Sequence, residues 1–463
     1  MRGTHRVPPQ RTSWLTAHAA VGSMLAAAVF LLAPSPARAV PSYARQMDMQ
    51  CIACHTEFPV LNSFGRQFKL SGYTSSANNT DMPPIAFMFQ PSFTHTAKAQ
   101  EGGAAPDFSD NDNFALTQAS IFYAGRLFGP FIKDPEGTVS PLNKIGIFCQ
   151  ITYDGIEKAW AWDNTELRYA DTGTIAGQDA IWGVYLNNNP TMQDPYNSTP
   201  AWGFPFTGSG LAPGPSAVTM IEDTFGGTAA GLGAYAMLNS TYYVDVGAYR
   251  TLGYSFQKSM GVDPADDAEI SGVAPYWRFA FEKMDGNARW EVGTFGMAAS
   301  TYPGRDHSEG TDRVSDIGLD AQYQTTAGAD DITAMVSWIY ETQHWDASYA
   351  MEDTQNPSDS LWDVKATFDY LHDKTYGATL QYFIIDGSSD TGLYADAASG
   401  SPKSSGFVLQ ANYLPFNKDG GPKVWPRSNV KLSLQYTYYT QLDGLQASAS
   451  DNNTLYAEAW IAF

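Results

Sequence analysis

Near the start of this 463-residue chain, Cys51, Cys54 and His55 stand as C-I-A-C-H within MQCIACHTEFPVLNSFGRQFKLSGY (49–73). Two thiols at this spacing can each add to a porphyrin vinyl group, and the histidine that follows is then placed to ligate the iron from the proximal side. One such motif means one covalent c-type haem. Competing uses of the same residues fit less well. Zinc wants four ligands, and the only other cysteine, Cys149, is distant and unpaired in the sequence. A redox dithiol has no need of His55, and no βαβ pattern surrounds the pair. A structural disulfide is the remaining bland alternative.

The residues before the motif fix its compartment. Arg2, Arg6 and Arg11 form a basic start, Ala19–Ala33 an apolar run too short for a membrane helix, and Ala37-Arg38-Ala39 a small-residue cleavage site. This is the pattern of a removable signal peptide over 1–39, with the mature chain starting near Val40. Attachment of c-type haem takes place on the exported side of the inner membrane. Cleavage removes four arginines and no acid, so the formal net charge of -21 becomes -25. So acidic a chain is unsuited to nucleic acid, whose phosphates demand a basic surface.

Residues 40–84 are too few to bury a core of their own. A haem held there needs walls supplied by residues 85–463. No run after residue 40 is apolar and long enough for a spanning helix. The chain alternates instead. Leu432, Leu434, Tyr436 and Tyr438 interleave with Lys431, Ser433, Gln435 and Thr437, and Val364, Ala366, Phe368 and Tyr370 with Asp363, Lys365, Thr367 and Asp369. Tyr376, Ala378, Leu380, Tyr382 and Ile384 share a third such face. Period-two runs of about ten residues, apolar on one side and charged on the other, predict an all-β transmembrane antiparallel barrel with lipid outside and a polar lumen. A soluble sheet with one buried face is the alternative. Against it stands the ending NTLYAEAWIAF, an alternating strand closing on an aromatic residue, as outer-membrane assembly machinery reads.

About sixteen strands are expected, near 85–98, 113–128, 144–153, 159–170, 180–187, 228–238, 241–250, 272–283, 288–298, 313–325, 331–342, 359–371, 374–385, 405–415, 428–440 and 453–463. From the fifth strand on, long connections (188–227, 251–271, 299–312, 343–358, 386–404, 441–452) alternate with short turns at Asn239-Ser240, Asp285-Gly286-Asn287, Gly328 and Asp373. Long outer loops and short periplasmic turns show this contrast, although 417–428 is long for a turn. The longest loop carries NNNPTMQDPYNSTPAWGFPF (187–206). It either folds into the lumen or packs on its neighbours outside. Its Asn197-Ser198-Thr199 matches a glycosylation acceptor, discounted in a bacterial-type chain.

The barrel pattern bears on the second axial position of the haem. Met47, Met49, Met82, Met88 and His95 are the candidates near the motif. Met47 and Met49 precede Cys51 too closely to reach the far face of a porphyrin. In IAFMFQPSFTHTAK (85–98), Met88 lies on the more polar face with Ala86, Gln90, Ser92, Thr94 and Thr96. His95 shares the parity of Ile85, Phe87, Phe89 and Phe93 and turns inward only through a bulge. Met88 is therefore the expected lumen-facing sixth ligand. The plainer expectation is that it packs as a gap-filling side chain.

PSYARQMDMQCIACHTEFPVLNSFGRQFKLSGY (41–73) closely resembles the start of the fused cytochrome–porins of the outer membrane, best known as the iron-oxidising cytochromes of iron bacteria. Ala44-Arg45-Gln46 stands before the haem motif as in that family, and Phe58-Pro59 and Phe64-Gly65-Arg66-Gln67-Phe68-Lys69 after it. DNTELRYA (163–170) and NNNPTMQDPYNSTPAW (187–202) also look like family segments. Beyond about residue 250 only the architecture agrees. The resemblance implies a sixteen-stranded porin fused to a one-haem segment that plugs it. Cys51, Cys54 and His55 would bind haem c, extracellular Fe(II) would be the electron donor and a periplasmic cytochrome or copper protein the acceptor. It implies the outer membrane of a Gram-negative bacterium, with lipid around the barrel. A passive porin with a structural or sensing haem plug, and a conduit reducing external acceptors, are the rival functions. Acidic residues in the first outer loop (Glu101, Asp107, Asp110, Asp112) and the fourth (Asp263, Asp266, Asp267, Glu269) would gather cations by focusing the field and offer hard oxygen ligands. Ordinary solvation and cation bridging to surface lipid is the alternative. Carboxylates in such number are neutralised at about pH 2, which points to near-neutral surroundings.

Overall fold

The computed structural model describes residues 41–76, 83–134, 138–265, 267–395, 397, 399–418 and 428–463. The expected signal peptide, Met82 and Asp266 lie outside them. Wherever the sequence alternates, the backbone is extended. Sixteen long strands follow: β1 (Ile85–Thr96), β2 (Asn113–Arg126), β3 (Ile145–Asp154), β4 (Ala159–Ile175), β5 (Gln178–Asn187), β6 (Ala229–Leu238), β7 (Tyr242–Thr251), β8 (Ala274–Asp285), β9 (Ala288–Tyr302), β10 (Asp312–Ala327), β11 (Asp330–His344), β12 (Ser358–His372), β13 (Tyr376–Gly387), β14 (Ser404–Tyr413), β15 (Asn429–Gln441) and β16 (Thr454–Ala462). Each runs antiparallel to its neighbours, and β1 closes on β16 from Met88↔Ala462 to Thr96↔Thr454. A two-residue strand, Glu269–Ile270, adds a short pairing at the outer end of β9.

A closed ring leaves no unpaired strand edge, which is what a strand protein needs in hydrocarbon, where each orphaned backbone group costs several kcal/mol. Side-chain polarity then sets inside and outside. On β15, Leu432, Leu434, Tyr436 and Tyr438 are exposed while Lys431, Ser433 and Gln435 are buried. The same parity holds on β12 and β13, with Phe368, Leu380 and Tyr382 outward and Asp369, Thr379 and Gln381 inward. An apolar outer face around a closed barrel with charged side chains inside is an outer-membrane barrel, and the chain resides in that membrane. No helix among the described residues is long and apolar enough to cross a membrane.

The strands follow the expected ones to within a few residues; β9 runs on to Tyr302, and the longest extension is that of β4. β4 continues past 170 to Ile175, because Ala176-Gly177, both at positive φ, turn the chain tightly enough to pair Ile175 with Gln178. Its end is built of small polar residues that hide the alternation. Asn239-Ser240 and Asp373-Lys374 also hold positive φ at both positions, the backbone of tight turns that match strand twist.

The long loop after β5 folds inward. Thr191, Gln193, Asp194, Tyr196 and Thr199 are at most 1% exposed. Wall residues hold it there. Ser198 donates to Asp320 at 2.5 Å, Gln381 donates to the Phe204 carbonyl at 2.6 Å, and the Ile221 N–H reaches Asp316 at 2.7 Å. Asn197 is 4% exposed and accepts from the Leu61 N–H, so its glycosylation tripeptide is inaccessible.

Candidate functional site

The residues around C-I-A-C-H form two short helices, α1 (Pro41–Met47) and α2 (Ser63–Leu70), with a 3₁₀ turn at Cys51–Ala53 between them. Asn62 caps α2 by accepting from the Gly65 N–H at 3.0 Å. Gly65 is required there: a Cβ would stand 2.2 Å from the Cys54 carbonyl oxygen. The segment meets inward-facing side chains around much of the wall. Tyr73 donates to Glu166 of β4 at 2.8 Å, Tyr235 of β6 to the Leu70 carbonyl at 2.5 Å, and Arg289 of β9 to Ser63 at 2.6 Å. Arg66 donates to Gln322 and Gln324 of β10 at 2.8 and 2.7 Å, and Lys431 of β15 to the Phe58 carbonyl at 3.0 Å.

Within the turn, the N–H groups of Cys54 and His55 both donate to the Cys51 carbonyl at 3.1 Å. Both thiols are free and buried, so no disulfide joins them. Burial pushes Cys51 up to about 12 and Cys54 up to about 11, leaving both protonated. His55 Nδ1 lies 3.0 Å from the Pro59 carbonyl. That contact places the ring proton on Nδ1 and leaves Nε2 with a free lone pair, the arrangement of a histidine ready to ligate a metal. Burial holds the imidazole down to about 4, with the Pro59 and Val60 backbone contacts opposing, so the ring is neutral.

Cys54, His55 and Met88 line one cavity of about 460 Å³, with Phe122, Phe148 and Trp202 among its aromatic walls. Roughly 300–1,000 Å³ is the range of pockets that enclose cofactors and small ligands. Met88 points inward as expected and is 6% exposed. His95 points outward and meets Asp112 at 2.7 Å, which removes it from the site. Met47 packs beside the Met88 cluster. Cys51 opens on a different, much smaller space bordered by Phe58 and Trp460, and both of these rings also border the large cavity. The sequence pattern does not announce that partition.

The outer acidic residues do not gather into a shared cation site. Asp107 pairs with Lys158, Asp112 with His95 and Asp263 with Lys258, while Glu269 faces Arg305 and His307. Among the described residues no group of three or more His, Cys, Asp or Glu side chains is arranged to hold a metal ion. The dense charge lies inside instead. Arg278 meets Asp194 at 2.9 Å, Glu291 at 3.0 Å and Asp320, and Arg168 meets Glu166 at 2.8 Å, all at 1% exposure or less. Glu166, Arg168, Arg278, Glu291 and Asp320 lie on strands and Asp194 in the loop after β5, and nothing local pairs Arg278 with its three acids.

No protein-family model matches the chain, and no curated protein matches it. Among solved structures it is similar to OprB of Pseudomonas putida, at TM-score 0.46 and 12% identity over 82% of this chain and 93% of that one. It is similar to OmpF of Salmonella typhi at TM-score 0.44 and 13% identity, over 82% and 97% of the two chains. It is also similar to the anion-selective porin of Comamonas acidovorans at TM-score 0.43 and 9% identity, over 82% and 98%.

Proposed function

We propose that residues 41–76 carry one c-type haem inside the barrel, and that the chain is an outer-membrane electron-transfer cytochrome–porin. It takes single electrons from extracellular Fe(II), leaving Fe(III), and delivers them to a periplasmic cytochrome or copper protein. The observation that carries this reading is the shared cavity: a neutral imidazole fixed through Nδ1, a free thiol and an inward methionine face one cavity with aromatic walls. Cys51 and Cys54 would hold the porphyrin covalently, and His55 and Met88 would supply donors to its iron. The haem supplies a one-electron couple within an otherwise insulating wall.

The other work belongs to the chain. Pro59 aims the imidazole, and Phe58 and Trp460 border the spaces of both thiols, so a ring system bound to both touches them. The barrel supplies the core that a short segment lacks.

The test is purified protein in liposomes, mixed with external Fe(II) in a stopped-flow spectrometer. The reading expects the spectrum of reduced haem, with covalent haem stain lost in the Cys51→Ala/Cys54→Ala double variant. Solute flux without haem reduction overturns it in favour of a passive porin, and haem stain that survives the double change removes the attachment site.

A further inference from the structure

The wall of the large cavity carries a lysine with no ion-pair partner among the described residues, although Asp163 and Asp194 border the same cavity. Lys69, in the last turn of α2, is 6% exposed. Its Nζ donates to the carbonyl oxygens of Met192 and Asp194, both at 2.7 Å, and lies 5.0 Å from the centre of the Trp202 ring. Among the described residues no carboxylate comes within ion-pair distance of it. The neighbouring acids are committed elsewhere: Glu166 to Arg168 and Asp194 to Arg278. Of the basic side chains packed against the segment, Lys69 alone borders the cavity that holds Cys54, His55 and Met88.

A buried charge is stable only when paired and fully hydrogen-bonded. Two carbonyls satisfy two of the three ammonium N–H groups, and neither carries a full negative charge. Burial accordingly pushes Lys69 down to about 7, with Glu166 and Asp194 opposing and Arg168 adding to the fall. An anionic group inside the cavity would complete the site. A haem brings such a group with it, because its porphyrin bears two propionate carboxylates that must be neutralised or solvated when the ring is enclosed.

We propose that Lys69 is the cavity's carboxylate-binding residue, pairing with a haem propionate and so helping to set the haem potential. This rests on the haem reading of the cavity. Ferric haem carries one more positive charge than ferrous haem. Removing the ammonium leaves the propionate charge uncompensated, which favours the ferric form and lowers the midpoint potential. Lys69 is thus a positioning and tuning residue that touches the cofactor's periphery and not its iron.

The experiment compares wild-type, Lys69→Met and Lys69→Arg holoproteins by haem stain and spectroelectrochemical titration. Expected are haem in all three, a lower midpoint potential in Lys69→Met, and recovery toward the wild-type value in Lys69→Arg. An unchanged potential in a haem-loaded Lys69→Met protein overturns the proposal and leaves the haem reading standing, whereas absence of haem from the wild type overturns the haem reading itself. Should Lys69→Met not assemble, resonance Raman spectra of the wild type in H₂O and D₂O decide the matter. A propionate bending mode that shifts on exchange supports the ammonium contact, and one that does not shift overturns it.

Discussion

Arg278→Met should release the inward loop from the barrel wall. The guanidinium is wholly buried and holds Asp194 of the loop together with Glu291 and Asp320 of the wall. Methionine keeps most of the volume and removes the only cation that touches all three acids. Breaking a buried ion pair by deleting one partner costs about 3–5 kcal/mol, or about two to three and a half powers of ten in the docked population. The cost falls on docking, because Asp194 can escape to water while Glu291 and Asp320 cannot. Planar-bilayer recordings should therefore show frequent large openings in the variant and a mostly closed wild type, with the folded barrel's gel mobility unchanged. Acidity should reverse the effect. Burial already raises the Asp194 carboxyl above its ordinary value, and Arg278 opposes that rise. Without the arginine the folded-state value climbs further, so docking is favoured at low pH, where the acid is protonated in both states. It is lost as the pH rises through the ordinary carboxylate range and beyond. A variant that stays as closed as wild type at neutral pH, with the loop equally resistant to external protease, would refute the anchoring role of Arg278.

Met88→Leu should abolish the sulfur-to-iron charge-transfer band of the oxidised protein and lower its potential, since methionine ligation raises it; a band that persists removes Met88 from the iron. Gly65→Ala should cut haem stain per folded barrel, because the new Cβ would sit 2.2 Å from the Cys54 carbonyl and overpacking of this kind costs about 1–3 kcal/mol. Gly208→Ala, with nothing within 4 Å of its added Cβ, is the matched control and should stain normally. Epitope tags within 345–357 should be reached by antibody on intact cells and a tag at Asp373 should not. The reverse pattern would invert the barrel and place residues 41–76 outside.

The strands were readable because lipid and lumen make opposite demands on alternate residues, and stretches such as Lys431–Tyr438 answer both without interruption. Met88 and His95 were assigned to opposite faces by parity alone, and they occupy them. The end of β4 escaped because Thr172, Gly173 and Thr174 carry little polarity contrast. The loop after β5 was recognisable as ordered, but composition could not choose between lumen and surface. That choice rests on pairs such as Ser198 with Asp320 and Ile221 with Asp316, far apart in the chain. Lys69 was visible only as one letter of a motif. Its lack of an ion-pair partner depends on Glu166 being spent on Arg168 two residues along β4 and Asp194 on Arg278 of β8, and the second of these pairings leaves no local trace. Asp107 of the first outer loop pairs with Lys158 from the connection after β3, a pairing that no local pattern announces.

The barrel's seam gives the candidate site a place in biogenesis. Met88 comes from β1 and Trp460 from β16, the two strands farthest apart in sequence, and both face the same cavity. On the outer side the seam is clasped by Phe463 stacked on Phe87 and Phe89, each at 5.6 Å between ring centres. The pocket therefore does not exist until the barrel zips shut. The final pairing of the first and last strands is what completes the chamber. Chains that fail to close are left without the chamber and with an open strand edge, a template for pairing with other chains.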